Sequence, residues 1–164
     1  VLGPEMQSTG ESMGVGATFG VAYWKAWLGA GLRSVPFGDT VYISAPQENT
    51  QAITCLMAGL RAVDCRIVLG PGTDSPASWA PVVAPEDLDV STLGLVVVLG
   101  RSRGEIGVLR RAVDARVAGI STHGGLLALI RALNEGVPDL ALMPSGYRRV
   151  PPFDTRESRP TIRK

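Results

Sequence analysis

The sequence predicts an α/β fold, a doubly wound parallel five-stranded sheet preceded by a loop and a helix. Three observations lead there. Short β-rich runs alternate with segments of helical periodicity, and the connections between them are short. The run from Leu95 to Leu99 is unbroken in apolar residues, as a central parallel strand covered on both faces requires. Strand–helix alternation of this kind builds βαβ units whose helices cover a parallel sheet.

The elements follow in order. A loop with Gly10, Gly14 and Gly16, dotted with Ser8 and Thr9, runs into a helix. Thr18 is the expected N-cap. Phe19, Ala22, Tyr23, Ala26 and Trp27 repeat at helical spacing, and Gly29 and Gly31 stop the helix. Arg33 to Pro36 reads as a linker. Val41 to Ser44 is the first strand. Ile53, Leu56, Met57 and Leu60 then fall at i, i+3, i+4 and i+7, one apolar helix face. Arg66 to Leu69 is the second strand, ended by Gly70-Pro71-Gly72. Ser75-Pro76 has the form of a short helix start, and Pro81 to Val83 that of a short edge strand. Beyond the run at Leu95, Ile106, Leu109 and Val113 mark the apolar face of a helix, with Arg110, Arg111, Asp114 and Arg116 on its wet side. Ala118 to Ile120 is a brief strand, and Leu126, Leu129, Ile130 and Leu133 line the last helix. After Pro138 periodicity fails, and repeated prolines describe a flexible tail. The expected units are therefore residues 1–34, 35–137 and 138–164.

Composition bounds the function. With 45% hydrophobic and 19% charged residues the chain has the makeup of a globular domain. A net charge of +1 gives no electrostatic case for nucleic acid or an anionic membrane. No apolar run approaches the ~18 residues of a membrane span, and no secretory leader is visible, so a cytoplasmic protein is expected. Cys55 and Cys65 lie in or beside apolar runs without metal-ligand spacing, which predicts reduced core thiols.

In a doubly wound sheet, ligands sit at the carboxyl ends of the strands, near the point where strand order reverses. Four loops qualify: Ser44 to Asn49, Gly70 to Ser75, Gly100 to Gly104, and Ser121 to Gly124. Gly72 offers a backbone N–H and Thr73 a hydroxyl to an anion, and Arg101 and Arg103 supply positive charge. With Ser44 at the end of the first strand, these form the candidate effector or phosphate site. No catalytic residue and no metal site is predicted. His123, the single histidine, has no carboxylate beside it in sequence and reads as a turn or supporting residue. Glu86, Asp87 and Asp89 read as solvated charge or dipole compensation at a helix start, and Asp74 as a cap.

A more specific signal lies at the N-terminus. Gly3-Pro4-Glu5-Met6, Ser8-Thr9-Gly10-Glu11 and Met13-Gly14, followed by Thr18-Phe19-Gly20 and Lys25-Ala26, closely resemble the segment that closes the second ATP-grasp half of carbamoyl phosphate synthetase large chains. Residues 35–136 resemble, in less specific wording, the methylglyoxal-synthase-like regulatory domain that follows it in that family. GDTVYIS (38–44) is similar to the family's first strand, and CRIVLGPGT (65–73) to its second strand and phosphate loop. LGLVVVLG (93–100) matches the fourth strand, IGVLRRAVDARVAGIST (106–122) the helix and strand after it, and GGLLALIRAL (124–133) the last helix.

The resemblance implies a C-terminal piece of a synthetase that makes carbamoyl phosphate from bicarbonate and glutamine-derived ammonia, for arginine and pyrimidine synthesis. The start at Val1, inside what resembles another domain's last loop, is expected of a fragment. ATP and magnesium belong to the parent enzyme, and the fragment itself is expected to hold no cofactor. Implied partners are the upstream ATP-grasp domains, a glutaminase small subunit, and a small anionic effector such as a nucleotide monophosphate, ornithine or phosphate. Self-association through the regulatory domain is a further implication.

Departures from the family pattern fall on the ligand loops. Thr73 keeps the second threonine of the phosphate loop, but Gly70 stands where the first belongs. Asn49 and Thr50 lie where a lysine is expected, Val98-Leu99 replaces an Asn-Thr pair, and no lysine accompanies Ala84-Pro85. The expectation is a degenerate effector site. The alternatives are a structural or oligomerisation module without effector binding, and a free-standing lyase of the methylglyoxal synthase type.

Overall fold

The computed structural model describes residues 12–30, 38–74 and 79–135. Both expected domain boundaries, the string before residue 12, the helix start at Ser75-Pro76 and the proline-rich tail lie outside them.

Four strands, β1 (Thr40–Ser44), β2 (Arg66–Leu69), β3 (Leu93–Val98) and β4 (Ala118–Ile120), form a parallel sheet in the order β2-β1-β3-β4. Val41 stands beside Ile67 on one side and Leu95 on the other. The chain steps outward from β1 to β2, then returns past β1 to β3 and outward to β4. Strand order therefore reverses between β1 and β3, which puts the switch point at the carboxyl ends of those two strands.

The expected fifth strand is reduced to one parallel bridge between Leu69 and Val82. The Leu69 N–H donates to the Pro81 carbonyl and the Val83 N–H to the Leu69 carbonyl, each at 2.8 Å. Pro81 has no N–H to continue the ladder, and Pro85 opens a 3₁₀ turn two residues past Val83. A segment so bounded fits only an edge.

Helices α2 (Thr50–Ala62) and α4 (His123–Asn134) cover one face of the sheet. Helix α3 (Arg103–Asp114) covers the other with the 3₁₀ turns at Pro85–Asp87 and Val90–Thr92. Alternation along the strands divides the core accordingly: Val41, Ile43, Leu95 and Val97 face α2 and α4, while Tyr42, Val96 and Val98 face α3. Ile53, Leu56, Met57 and Leu60 are all buried, as their spacing predicts.

Two helical faces differ from expectation. On α3, Ile106 and Val113 are exposed, and the buried positions are Val108 and Ala112. The helix meets the sheet along Glu105, Val108 and Ala112, at i, i+3 and i+7, with Leu109 of the expected face packed beside them. Glu105 is held inward by polar partners that periodicity cannot reveal. Cys55 is exposed on α2, one position off its inward stripe, while Cys65 is a core thiol as expected. Burial pushes the Cys65 thiol up to about 11.

Helix α1 (Phe19–Gly29) starts at Thr18, whose Oγ1 accepts a hydrogen bond from the Val21 N–H at 3.3 Å. It packs on α4. The Gly20 N–H donates to Glu135 Oε2 at 2.7 Å, and the Arg131 guanidinium lies over the Phe19 ring, 4.5 Å from its centroid. Gly20, Trp24 and Trp27 are its buried residues, and both indoles share the core of α2, α4 and the sheet. Tyr23 packs beside them, and desolvation pushes its phenol up to about 12.

Candidate functional site

The carboxyl ends of the strands and the amino ends of α2, α3 and α4 meet on one rim, as a parallel sheet with short connections dictates. The five residues expected to bind an anion are distributed along it in unequal roles.

Ser44 ends β1 and is only 2% exposed. Its hydroxyl donates to Glu105 Oε1 at 2.7 Å. Glu105 also belongs to the capping box of α3: Ser102 Oγ accepts from the Glu105 N–H at 3.3 Å, and Glu105 Oε2 accepts from the Ser102 N–H at 2.9 Å. Burial alone would raise the Glu105 carboxyl, but the bonds from Ser102 and Ser44 outweigh it and hold the group below the ordinary glutamate range.

Thr73 is turned to a structural task. Its Oγ1 accepts from the Ala45 N–H at 3.1 Å and faces the Ile43 carbonyl at 3.5 Å, so the hydroxyl stitches the loop after β2 to the end of β1. Gly72 adopts φ +77 in the exposed turn, a conformation that disfavours any other residue. Asp74 accepts from the Thr50 hydroxyl at 3.2 Å, a side-chain link between the loop after β2 and the first residue of α2 rather than a cap on a backbone N–H. Arg103 is the first residue of α3 and is exposed.

Arg101 is the one expected residue that lines a cavity of about 640 Å³ on the rim. Its other walls include Asn49, Val98, Leu99, Thr122 and His123. Ser44, Gly72, Thr73 and Arg103 are not among its lining residues. His123 Nδ1 lies 3.1 Å from Asn49 Oδ1, which ties the start of α4 to the turn before α2. The histidine, expected in a turn or behind the site, is the first residue of α4 and lines the cavity directly. The cavity thus offers one guanidinium, the Asn49 amide, the hydroxyl residues Ser121 and Thr122 and an imidazole, against the Glu48 carboxylate and a wall of Val98 and Leu99.

Sequence reasoning missed Glu105 and Tyr42. The Tyr42 hydroxyl is fully buried and makes no hydrogen bond of good geometry among the described residues. Burial raises its phenol, the neighbouring Ser44 opposes this, and the Glu105 charge adds to it. The Ser102-x-x-Glu105 pattern was a readable capping signal; the reach of Glu105 to a serine 61 positions earlier was not.

Among the described residues no group of three His, Cys, Asp or Glu side chains is placed to hold a metal ion, and no helix is long and apolar enough to cross a membrane.

The described residues define an α/β domain with a parallel sheet, its connecting loops and helix amino ends gathered on one rim. No family profile matches the chain. Curated relatives do. A carbamoyl phosphate synthase large chain from Archaeoglobus fulgidus is 34% identical over 152 residues, covering 81% of this chain and 14% of that protein. One from Thermomicrobium roseum is 33% identical over 176 aligned residues, covering 96% and 16%. A carbamoyl phosphate synthase large chain, C-terminal section, from Methanopyrus kandleri is 41% identical over 75 residues, covering 46% and 14%. The chain belongs to the carbamoyl phosphate synthase large-chain family. It spans about one seventh of the length of the relatives it matches.

Proposed function

We propose that this chain is the C-terminal regulatory portion of a carbamoyl phosphate synthase large chain, with a degenerate effector site. The observation that carries this reading is the pattern of coverage: relatives match 81% and 96% of the chain while it accounts for 14% and 16% of them. The parallel sheet and the phosphate-loop threonine, Thr73, support a methylglyoxal-synthase-like domain. Helix α1, packed through Trp24 on α4, is then the last element of an ATP-grasp half and the mechanical link to it.

In this reading the parent is an ATP-dependent, cytoplasmic ligase working with a glutaminase small subunit. ATP and magnesium are held by the ATP-grasp parts of that parent. The regulatory portion influences them through α1, and only to the extent that an effector favours one arrangement over another.

The second reading, a structural or self-associating module without effector binding, is favoured by one observation. Ser44 and Thr73, two of the five expected anion ligands, are already engaged within the chain. Titration calorimetry with uridine monophosphate, inosine monophosphate, ornithine and phosphate separates the readings. Weak binding, near millimolar and lost on Arg101→Ala, supports a degenerate effector site. No heat with any of the four supports the structural module, and micromolar binding contradicts the degeneracy.

A further inference from the structure

We propose that Glu105 is a built-in anion of the rim: its carboxylate fills the place at the switch point that a small external carboxylate or phosphate would take. The inference deepens the regulatory reading above and rests on it for biological meaning, although its chemistry stands on the geometry alone.

A capping-box glutamate ordinarily closes its own helix turn and otherwise faces water. Glu105 does more. One oxygen accepts from the N-cap N–H of α3, and the other accepts from Ser44, which belongs to the central strand and is almost wholly buried. A backbone N–H at a helix amino end together with a hydroxyl at a strand end is the donor set that a phosphate or carboxylate ligand uses. A second hydroxyl stands beside it. The fully buried Tyr42 oxygen makes no hydrogen bond of good geometry among the described residues and lies close to Ser44 Oγ.

The space is also built for close approach. A Cβ at Gly70 would come within 2.6 Å of the Tyr42 oxygen and 2.7 Å of Ser44 Oγ. A Cβ at Gly100 would collide with both Glu105 carboxylate oxygens. Two glycines, one just after β2 and one after β3, therefore leave room for the Ser44 and Tyr42 hydroxyls and for this carboxylate. The charged groups that act on the Tyr42 side of this cluster are Glu86, Glu105 and Arg111. Arg111 is itself committed to the Leu88 carbonyl at 3.0 Å and to the Pro85 carbonyl, and so does not neutralise Glu105 directly.

If the carboxylate is a resident ligand, removing it should create a vacancy that a small anion can refill. The test is chemical rescue of thermal stability in the 164-residue chain, with formate, acetate and phosphate compared against chloride at equal ionic strength. Glu105→Ala should lose stability and bind formate or acetate about tenfold more tightly than the unaltered chain does, the equivalent of one hydrogen bond. Glu105→Ala combined with Ser44→Ala should lose the rescue. An equal response of the unaltered chain and Glu105→Ala, or rescue that survives loss of Ser44, would overturn the proposal. Should Glu105→Ala not fold, carbon NMR titration of the Glu105 carboxyl answers instead. In the unaltered chain it should titrate below an ordinary glutamate and move upward in Ser44→Ala; a carboxyl indifferent to Ser44 overturns the proposal equally.

Discussion

The Ser44 hydroxyl donates to Glu105 Oε1 at 2.7 Å, joining the end of the central strand to the first turn of α3 on the opposite side of the switch point. The bond is charge-assisted at the acceptor and its donor residue is almost fully buried, so it should carry more than a surface contact. Ser44→Ala is predicted to cost about 1–2 kcal/mol. Glu105→Ala should cost a similar amount, and the double variant distinctly less than the two together, as for residues in direct contact. Denaturant titration of the four proteins gives the coupling; strict additivity would mean the bond contributes nothing.

The acid limb of stability should depend on two carboxylates. Glu105 is held low by Ser102 and Ser44 against the opposing effect of burial, and Glu135 by the Gly20 N–H first and then Arg131. A folded value below the unfolded one means the contribution is complete above the ordinary glutamate value of about 4.3 and fades as pH falls through the lower, folded values. Thermal melts should therefore be flat near neutrality and drop on acidification. Glu105→Gln should remove part of that drop; an unchanged acid limb would contradict the assignment.

Trp24→Ala should be the more damaging change on α1. The indole is fully buried where α1 meets the common core, and deleting such a side chain costs about 3–5 kcal/mol through lost burial and the remaining cavity. Calorimetric melting checks this. Loss of under 1 kcal/mol would show that α1 is not anchored there in solution.

Thr73→Ala should lower stability by about 1 kcal/mol, since its hydroxyl satisfies the Ala45 N–H. Its effect on anion binding should be small, because the hydroxyl is turned to the β1 backbone. Arg101→Ala should show the reverse: little change in melting and whatever anion affinity exists removed. Phosphate titrations alongside melting curves decide between these. A Thr73→Ala variant that keeps its stability but loses binding would restore the threonine to the site.

The sheet and the helices were legible because each of their cues is local. Leu95 to Leu99 announces a central strand by composition, and Ile53, Leu56, Met57 and Leu60 announce a helix face by spacing. The fifth strand failed because a short run between two prolines carries β composition without N–H groups enough to pair. On α3 the apolar count pointed to Ile106, Leu109 and Val113. Leu109 packs on the core, but Ile106 and Val113 are exposed, and Val108, Ala112 and the polar contact of Glu105 lie toward the sheet. The site was legible as a rim but not as a set of contacts. Which hydroxyls remain free for a ligand depends on partners 28 and 61 residues away, and no local pattern encodes those pairings.

We propose that these residues are the C-terminal, regulatory end of a carbamoyl phosphate synthase large chain. Sequencing the genomic DNA directly upstream of the Val1 codon tests it most directly. The account predicts an open reading frame that runs into Val1 without interruption and encodes ATP-grasp sequence. An in-frame stop codon followed by a start codon next to Val1 would contradict it.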